Sequence, residues 1–224
     1  MLVLKPEDAR IKNTITLLHL LLRKDGISRV ELSRMTGLTK PTISAIIKNF
    51  KDSGIVKESN QISTGNIGKS PIPLHIRPDV IYAIGVHLSR QRVETLLIDA
   101  QMNIIAQNKG EDYKKISQEG VINSLFNNIN KIMRFAKREK ISIGAIGIGV
   151  PGPLDVQTGV VKQPPKFKGW KNVPLGSIVQ KEYGIPVWIE NDANVCALAE
   201  KWLGSGRNIH NFINILLNEG IGAG

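Results

Sequence analysis

The stretch Ser28-Arg29-Val30-Glu31-Leu32-Ser33-Arg34-Met35-Thr36-Gly37-Leu38-Thr39-Lys40-Pro41-Thr42-Ile43-Ser44 decides how the first third of this chain folds. Ser28 and Glu31 have the spacing of a capping box, in which the serine hydroxyl and the glutamate carboxylate satisfy each other's free backbone N–H groups. A short helix therefore opens at Ser28 and runs to about Met35. Thr36-Gly37-Leu38 reads as a tight turn in which Gly37 supplies a positive φ. Thr39 caps the next helix, and Pro41 is tolerated in its first turn, where N–H groups lack intrahelical partners. At about 100° per residue, Ile43, Ile46, Ile47 and Phe50 share one face of that helix. Pro41, Ala45, Lys48 and Asn49 fall opposite, with Thr42 and Ser44 on the flanks. The outward face is small and polar with one cation, the composition a helix needs to enter a major groove about 12 Å wide.

Working outward, Ile11, Ile15, Leu18 and Leu22 recur at helical spacing and predict a first helix that ends near Lys24-Asp25-Gly26. The third helix ends near Ser53-Gly54. Ile55 to Glu58 and Ile72 to Ile76 read as two short strands around a polar tip, a wing, and Arg77-Pro78-Asp79 as a boundary. Residues 1–77 are thus expected to form a winged helix-turn-helix. Within it, Lys40 and Lys48 are candidates to neutralise phosphates, and Thr42, Ser44 and Asn49 to read base edges, beside Pro41. Arg29, at the start of the second helix, is placed to touch the DNA backbone. Lys69, at the wing tip, is a candidate minor-groove or phosphate contact. Any one of these residues is more commonly just solvated; the ordered combination is the specific signal. Charge agrees with it: residues 1–77 carry 13 Lys/Arg against 6 Asp/Glu, the remainder 17 against 13. The basic excess at the N-terminal end suggests a polyanionic partner, double-stranded DNA.

A different rhythm starts at Val80. Strands are expected at Ile81 to Leu88, Arg92 to Asp99, Asn103 to Asn108, Ile143 to Val150, Pro186 to Ile189 and Phe212 to Leu217. Helices are expected at Ser117 to Lys140, Pro174 to Tyr183 and Asp192 to Leu203. Residues 80–224 therefore read as an α/β domain with a mixed sheet. Gly149-Val150-Pro151-Gly152-Pro153-Leu154-Asp155 leaves a buried strand in a stiff turn that a ligand can approach closely. Glu190-Asn191-Asp192-Ala193-Asn194 joins a strand end to a helix, where α/β sheets place ligands; Asp and Asn side chains there suit neighbouring sugar hydroxyls. Pro-Gly-Pro reads equally as a plain turn, and Asn191 or Asp192 as a helix N-cap. Gly220-Ile221-Gly222-Ala223-Gly224 reads as a turn after the last strand, of the kind that holds phosphates in nucleotide enzymes.

Composition excludes several classes. With 42% hydrophobic residues the chain is not a disordered one. Its apolar runs fall short of the ~18 residues a membrane helix needs, and Pro6, Glu7 and Asp8 interrupt any signal-peptide core. A single cysteine, Cys196, rules out an intrachain disulfide framework. A cytoplasmic protein is expected.

The Ser28 to Leu32, Thr36 to Thr39 and Thr42 to Ser44 segments resemble the winged helix-turn-helix of the ROK family (repressors, open reading frames and kinases). Residues 80–224, through Pro151 to Asp155, Gly169-Trp170 and Asn191 to Glu200, resemble the front part of the family's sugar-kinase domain, of actin-like ATPase fold. The resemblance implies a transcription regulator, a repressor of carbohydrate-metabolism genes. It would bind its operator as a homodimer or tetramer and respond to a sugar or sugar-phosphate effector. Gly152, Pro153, Asn191 and Asp192 would hold the sugar. In family kinases the aspartate matching Asp192 is the general base, so a sugar kinase with an appended DNA module is the alternative. A third reading makes the second domain purely an oligomerisation platform. Three departures from the family pattern matter. Gly68-Lys69-Ser70-Pro71 stands where family repressors often carry Gly-Arg-Pro, and lysine lacks the planar arginine fork. Gly85 to Gln91 lacks the aspartate and both loop glycines of the family's Asp-x-Gly-Gly-Thr phosphate loop. Glu219 places a carboxylate before Gly220-Ile221-Gly222, where it would repel nucleotide phosphate. No catalytic residue is therefore expected. The family's Glu-x-Gly-His segment and zinc-binding Cys/His cluster would lie beyond residue 224, so no cofactor or metal is expected within this chain.

Overall fold

In a computed structural model, the structure describes residues 6–60, 71–113, 117–217 and 220–224. The chain divides into two compact units, residues 1–80 and 81–224.

The first unit begins with helix α1 (Pro6–Arg23) and a two-residue strand β1 (Ile27–Ser28). Helices α2 (Arg29–Thr36) and α3 (Lys40–Asp52) follow, then strands β2 (Val56–Glu58) and β3 (Pro73–Ile76). The strands pair antiparallel in the order β1-β3-β2. The capping box forms: the Ser28 Oγ accepts from the Glu31 N–H at 3.3 Å, and the Glu31 carboxylate accepts from the Ser28 N–H at 3.0 Å. Gly37 closes α2 at φ 72°, and Thr39 caps α3 with Pro41 in the first turn. Ile43, Ile46, Ile47 and Phe50 are all buried. The apolar stripe expected on α1 is corrected: Ile11 and Ile15 are 58% and 49% exposed, whereas Leu17 and Leu21 are buried. The leucines lie one position round the helix, facing α2 and β3. Spacing alone marks an apolar stripe without saying which edge of it meets the core. The wing tip, Lys69 included, lies outside the described residues.

The second unit is built on strands β4 (Tyr82–Leu88), β5 (Val93–Ile98) and β6 (Ile104–Lys109), the long helix α4 (Gln118–Arg138) and strand β7 (Ile143–Val150). A small hairpin, β8 (Leu154–Asp155) with β9 (Val160–Val161), leads to α5 (Leu175–Tyr183), β10 (Val187–Asn191) and α6 (Asp192–Trp202). Strands β11 (Ile215–Leu217) and β12 (Ile221–Ala223) follow. The main sheet runs β10-β7-β4-β5-β6, with β4, β7 and β10 parallel and β4-β5-β6 an antiparallel meander. A side chain on alternate residues faces the same side of a strand, and Ile84, Val86 and Leu88 of β4 accordingly join Val121, Leu125 and Ile129 of α4 in one core. The Gly220 to Gly224 segment, expected as a turn, instead contains β12, which pairs antiparallel with β11. Its glycines let it lie against α6: a Cβ on Gly222 would come within 2.9 Å of the Ala193 Cβ. The carboxyl ends of β7 and β10, the loop after β4 and the start of α6 thus converge on one side of the sheet.

Among the described residues no helix is long and apolar enough to cross a membrane, and no His/Cys/Asp/Glu cluster has the arrangement of a metal site.

Candidate functional site

Two places bring the candidate residues together. The first is α3. Lys40, Pro41, Ser44, Lys48 and Asn49 are exposed and Thr42 is half-buried. Lys40 and Lys48 make no ion pair among the described residues, so both ammonium groups remain available to an anion. The Thr42 hydroxyl lies 2.9 Å from that of Thr39, within the cap of the helix. Arg29 stands at the start of α2, as expected, and is also engaged within the unit. Its guanidinium meets Glu58 at 2.5 Å, and the same carboxylate accepts from Lys51 at 2.5 Å. These bonds, that from Lys51 foremost, hold the Glu58 carboxyl below the usual range. The arrangement ties the wing strand β2 to the start of α2 and the end of α3.

The sequence reading did not bring α1 beside α3. Ala9, Arg10, Asn13 and Thr14 of α1 and Thr42, Ala45 and Asn49 of α3 line one groove of about 620 Å³, floored by Ile46 and Phe50. Arg10 and Asn13 therefore stand beside the outward face of α3. The signal was present, since both lie one turn apart on a face where Ile11 does not, but it required knowing which edge of α1 is buried.

The second place is a cleft of about 360 Å³ in the other unit. It is lined by His87, Ser89 and Arg90 after β4, Pro151 and Gly152 after β7, Asn191, Asp192 and Cys196 at the start of α6, and Gly220 to Gly222. Gly152, Asn191 and Asp192 are thus brought together as expected. Pro153 is not: it is exposed and does not line the cleft. Asn191 serves as N-cap, its Oδ1 accepting from the Ala193 N–H at 3.0 Å. Its Nδ2 remains directed at the Gly152 turn, where an added Cβ would lie 3.0 Å away. Asp192 accepts from the same N–H through Oδ1 at 2.9 Å. Capping and ligand binding are therefore compatible readings of these two residues: each keeps one polar atom outside the cap. Glu190, behind them, accepts from the Asn191 N–H and from Asn194 Nδ2 and fixes the junction. Burial, with the Asp192 and Glu200 carboxylates nearby, pushes the Cys196 thiol up, so it stays protonated at neutral pH.

The loop after β4 closes without glycine. Ser89 Oγ accepts from the N–H groups of Gln91 and Arg92 at 3.2 and 3.1 Å, turning the chain with a side chain. His87 stands half-exposed, 3.8 Å from the Glu94 carboxylate on the neighbouring strand. Glu219 lies outside the described residues.

A winged helix-turn-helix followed by an actin-like α/β unit with a polar cleft at its strand ends defines a DNA-binding module joined to a sugar-kinase-like fold. Residues 12–57 match a family model of winged helix-turn-helix DNA-binding domains, and residues 83–224 match that of the ROK family. The chain belongs to the ROK family. It is 32% identical over 216 residues to the xylose repressor of Caldicellulosiruptor bescii, covering 95% of this chain and 53% of that protein. Among solved structures it resembles a ROK family transcriptional regulator described as a homologue of the E. coli Mlc protein, with a TM-score of 0.75 and 26% identity, over 96% of this chain and 54% of the other. It also resembles a ROK family glucokinase from Streptomyces griseus, solved with glucose and AMPPNP, with a TM-score of 0.56 and 27% identity over 63% of this chain and 43% of the kinase. The chain spans about half the length of the curated relatives it matches.

Proposed function

We propose that this chain carries the operator-reading and effector-binding parts of a sugar-responsive transcription regulator, a repressor. The observation that carries the reading is α3: four apolar side chains lock one face into the unit, and the other presents Pro41, Ser44, Ala45, Lys48 and Asn49 to solvent. A helix so divided inserts into a major groove, with Lys40 and Lys48 on phosphates and Thr42, Ser44 and Asn49 at base edges. Arg10 and Asn13 extend that surface along α1. Arg29 acts through Glu58 to hold the wing strand rather than by touching DNA. The cleft at Gly152, Asn191 and Asp192 binds the effector, and the similarity to xylose repressors supports an aldose there. The regulator works in the cytoplasm, as a symmetric dimer on a two-fold operator.

The kinase alternative rests on Asp192 in the cleft. It requires close backbone approach and metal management around the γ-phosphate, and the Ser89 to Arg92 turn offers neither glycine nor acid. The regulator has no phosphoryl-transfer activity in this reading. Selection of bound duplexes from a random pool, followed by anisotropy titration with and without pentoses and hexoses, tests the proposal. A selected sequence bound far more tightly than unrelated duplex, with an affinity that one sugar changes, is the expected result. Equal affinity for all duplexes would overturn operator reading, and ATP consumption with any of these sugars would restore the kinase.

A further inference from the structure

The apolar stripe that the sequence places on α1 exists, but it faces outward. Ile11, Ile15, Leu18 and Leu22 recur at intervals of four, three and four. Ile11 and Ile15 are exposed and Leu18 and Leu22 only half-buried, while Leu17 and Leu21, on the side of α2 and β3, are buried. At about 100° per residue, the stripe spans about 60° of the helix and is centred about 110° from those two leucines. Arg10 and Asn13, beside α3, also lie at least about 110° from its centre. A partner seated on the stripe therefore leaves them to DNA. A helix on the surface of a small unit needs one apolar face; α1 carries a second.

The spacing says what fits there. Intervals of three and four keep apolar side chains on one seam, the pattern by which a helix packs on another helix, knobs into holes. A second copy of this chain brings the same seam, and a two-fold axis across α1 makes the two complementary. In an antiparallel pair, Ile15 stands level with the partner's Leu18 and Ile11 with the partner's Leu22. Charge selects that direction. Glu7 and Asp8 lie in the first turn of α1 and Arg23 in its last, with Lys24 next to it. Antiparallel helices set the acidic turn of each beside the basic end of the other and oppose their dipoles. Parallel helices would bring like charges together at both ends. Four side chains per copy, two of them already partly covered, bury far less than the roughly 1,200 Å² at which stable complexes begin. The contact is therefore one that DNA assembles rather than a free dimer. We infer that two copies on neighbouring half-sites pair antiparallel through α1, along Ile11, Ile15, Leu18 and Leu22, and that this contact makes operator binding cooperative. The inference rests on the operator-reading proposal and adds to it the place where the two chains join.

Anisotropy titration of two kinds of duplex tests it: one carrying a single selected half-site, the other two inverted copies with their separation stepped through a helical turn of about 10 base pairs. At the best separation the wild-type chain should bind the paired site about tenfold or more tighter than the single one, and half a turn away it should not. Ile11→Ser/Ile15→Ser should bring the paired site within about twofold of the single one. Its single-site affinity and melting temperature should stay at the wild-type values, since both side chains stand outside the core. Ile15→Lys and Leu18→Glu should each lose the cooperativity alone. Mixed, the two chains set opposite charges across one layer of the seam and should recover a gain of about threefold or more. Cooperativity that survives Ile11→Ser/Ile15→Ser overturns the inference, and the two chains then join elsewhere. Wild-type protein that binds paired and single sites equally overturns it too, and a mixture no better than either variant overturns the antiparallel pairing. Absence of any preferred half-site would sink the operator reading and the inference with it, a result distinct from half-site binding without cooperativity.

Discussion

At Ser28 and Glu31 two side chains set the start of α2, and their chemistry makes the first unit sensitive to acid. The Lys24 ammonium, at 2.7 Å, and the Ser28 N–H hold the Glu31 carboxyl down from its ordinary 4.5 to about 2. A carboxyl depressed in the folded state contributes stability that is fully present above its unfolded value and lost as pH falls through the folded one. The first unit should therefore lose stability between about pH 4.5 and 2, and Glu31→Gln should flatten that part of the profile in urea unfolding. Ser28→Ala should cost about 1 kcal/mol at neutral pH, the usual cost of a lost cap. Gly152 is a residue-scale test of the cleft. A methyl there meets Asn191 Nδ2 at 3.0 Å, tighter than ordinary contact. Gly152→Ala should weaken sugar binding at least tenfold by displacing that amide, with the melting temperature nearly unchanged.

At the scale of elements, α1 separates two kinds of apolar residue that look alike in sequence. Leu17 is fully buried, so Leu17→Ala should cost about 2–5 kcal/mol, as core truncations do. Ile15, half-exposed, should cost about 0.5 kcal/mol or less on the same change, as surface substitutions do. Helix α3 carries the parallel prediction for binding. Lys48→Ala should weaken every duplex alike and reduce the salt slope by about 1, whereas Ser44→Ala should alter which base is preferred; an unchanged slope removes Lys48 from the phosphate contacts. Much of this was legible because capping boxes, glycine turns and period-two strands are local: Ser28-Glu31, Gly37, Thr39 and the run Ile143 to Val150 announce their elements within a few residues. What stayed hidden depends on partners distant in sequence. The two-residue β1 exists only because β3 lies beside it, the hairpin β8-β9 because Gly159 packs on Gly176. The same limit applies to the sites. Asn191 and Asp192 were singled out by their position at a strand end, but that Arg90 lines the same cleft follows only from the topology of β4, β7 and β10. The pairing of Arg29 with Glu58, 29 positions away in a different element, could not be read from the sequence.

At the scale of the whole molecule the two units must exchange free energy if a sugar is to regulate DNA binding. An effector shifts an arrangement only by as much as it binds that arrangement more tightly than the alternative, and the coupling is reciprocal. The proposed operator-reading surface lies among residues 1–80 and the described lining of the cleft among residues 81–224. A mutation confined to the cleft should then remove the sugar's leverage without touching the DNA contacts themselves. Asp192→Ala is the cleanest such change, since Asn191 still caps α6 through its own Oδ1. Wild-type protein should show an operator Kd that changes on adding the effector, and a footprint of two half-sites about 10 base pairs apart or a multiple of it, as two-fold symmetric readers give. Asp192→Ala should give the wild-type Kd without sugar and the same Kd with it. Loss of operator affinity in Asp192→Ala without sugar would mean that the cleft residue maintains the DNA-competent arrangement by itself. Phosphorylation of a hexose by the wild type, lost in the variant, would make Asp192 a base rather than a sensor.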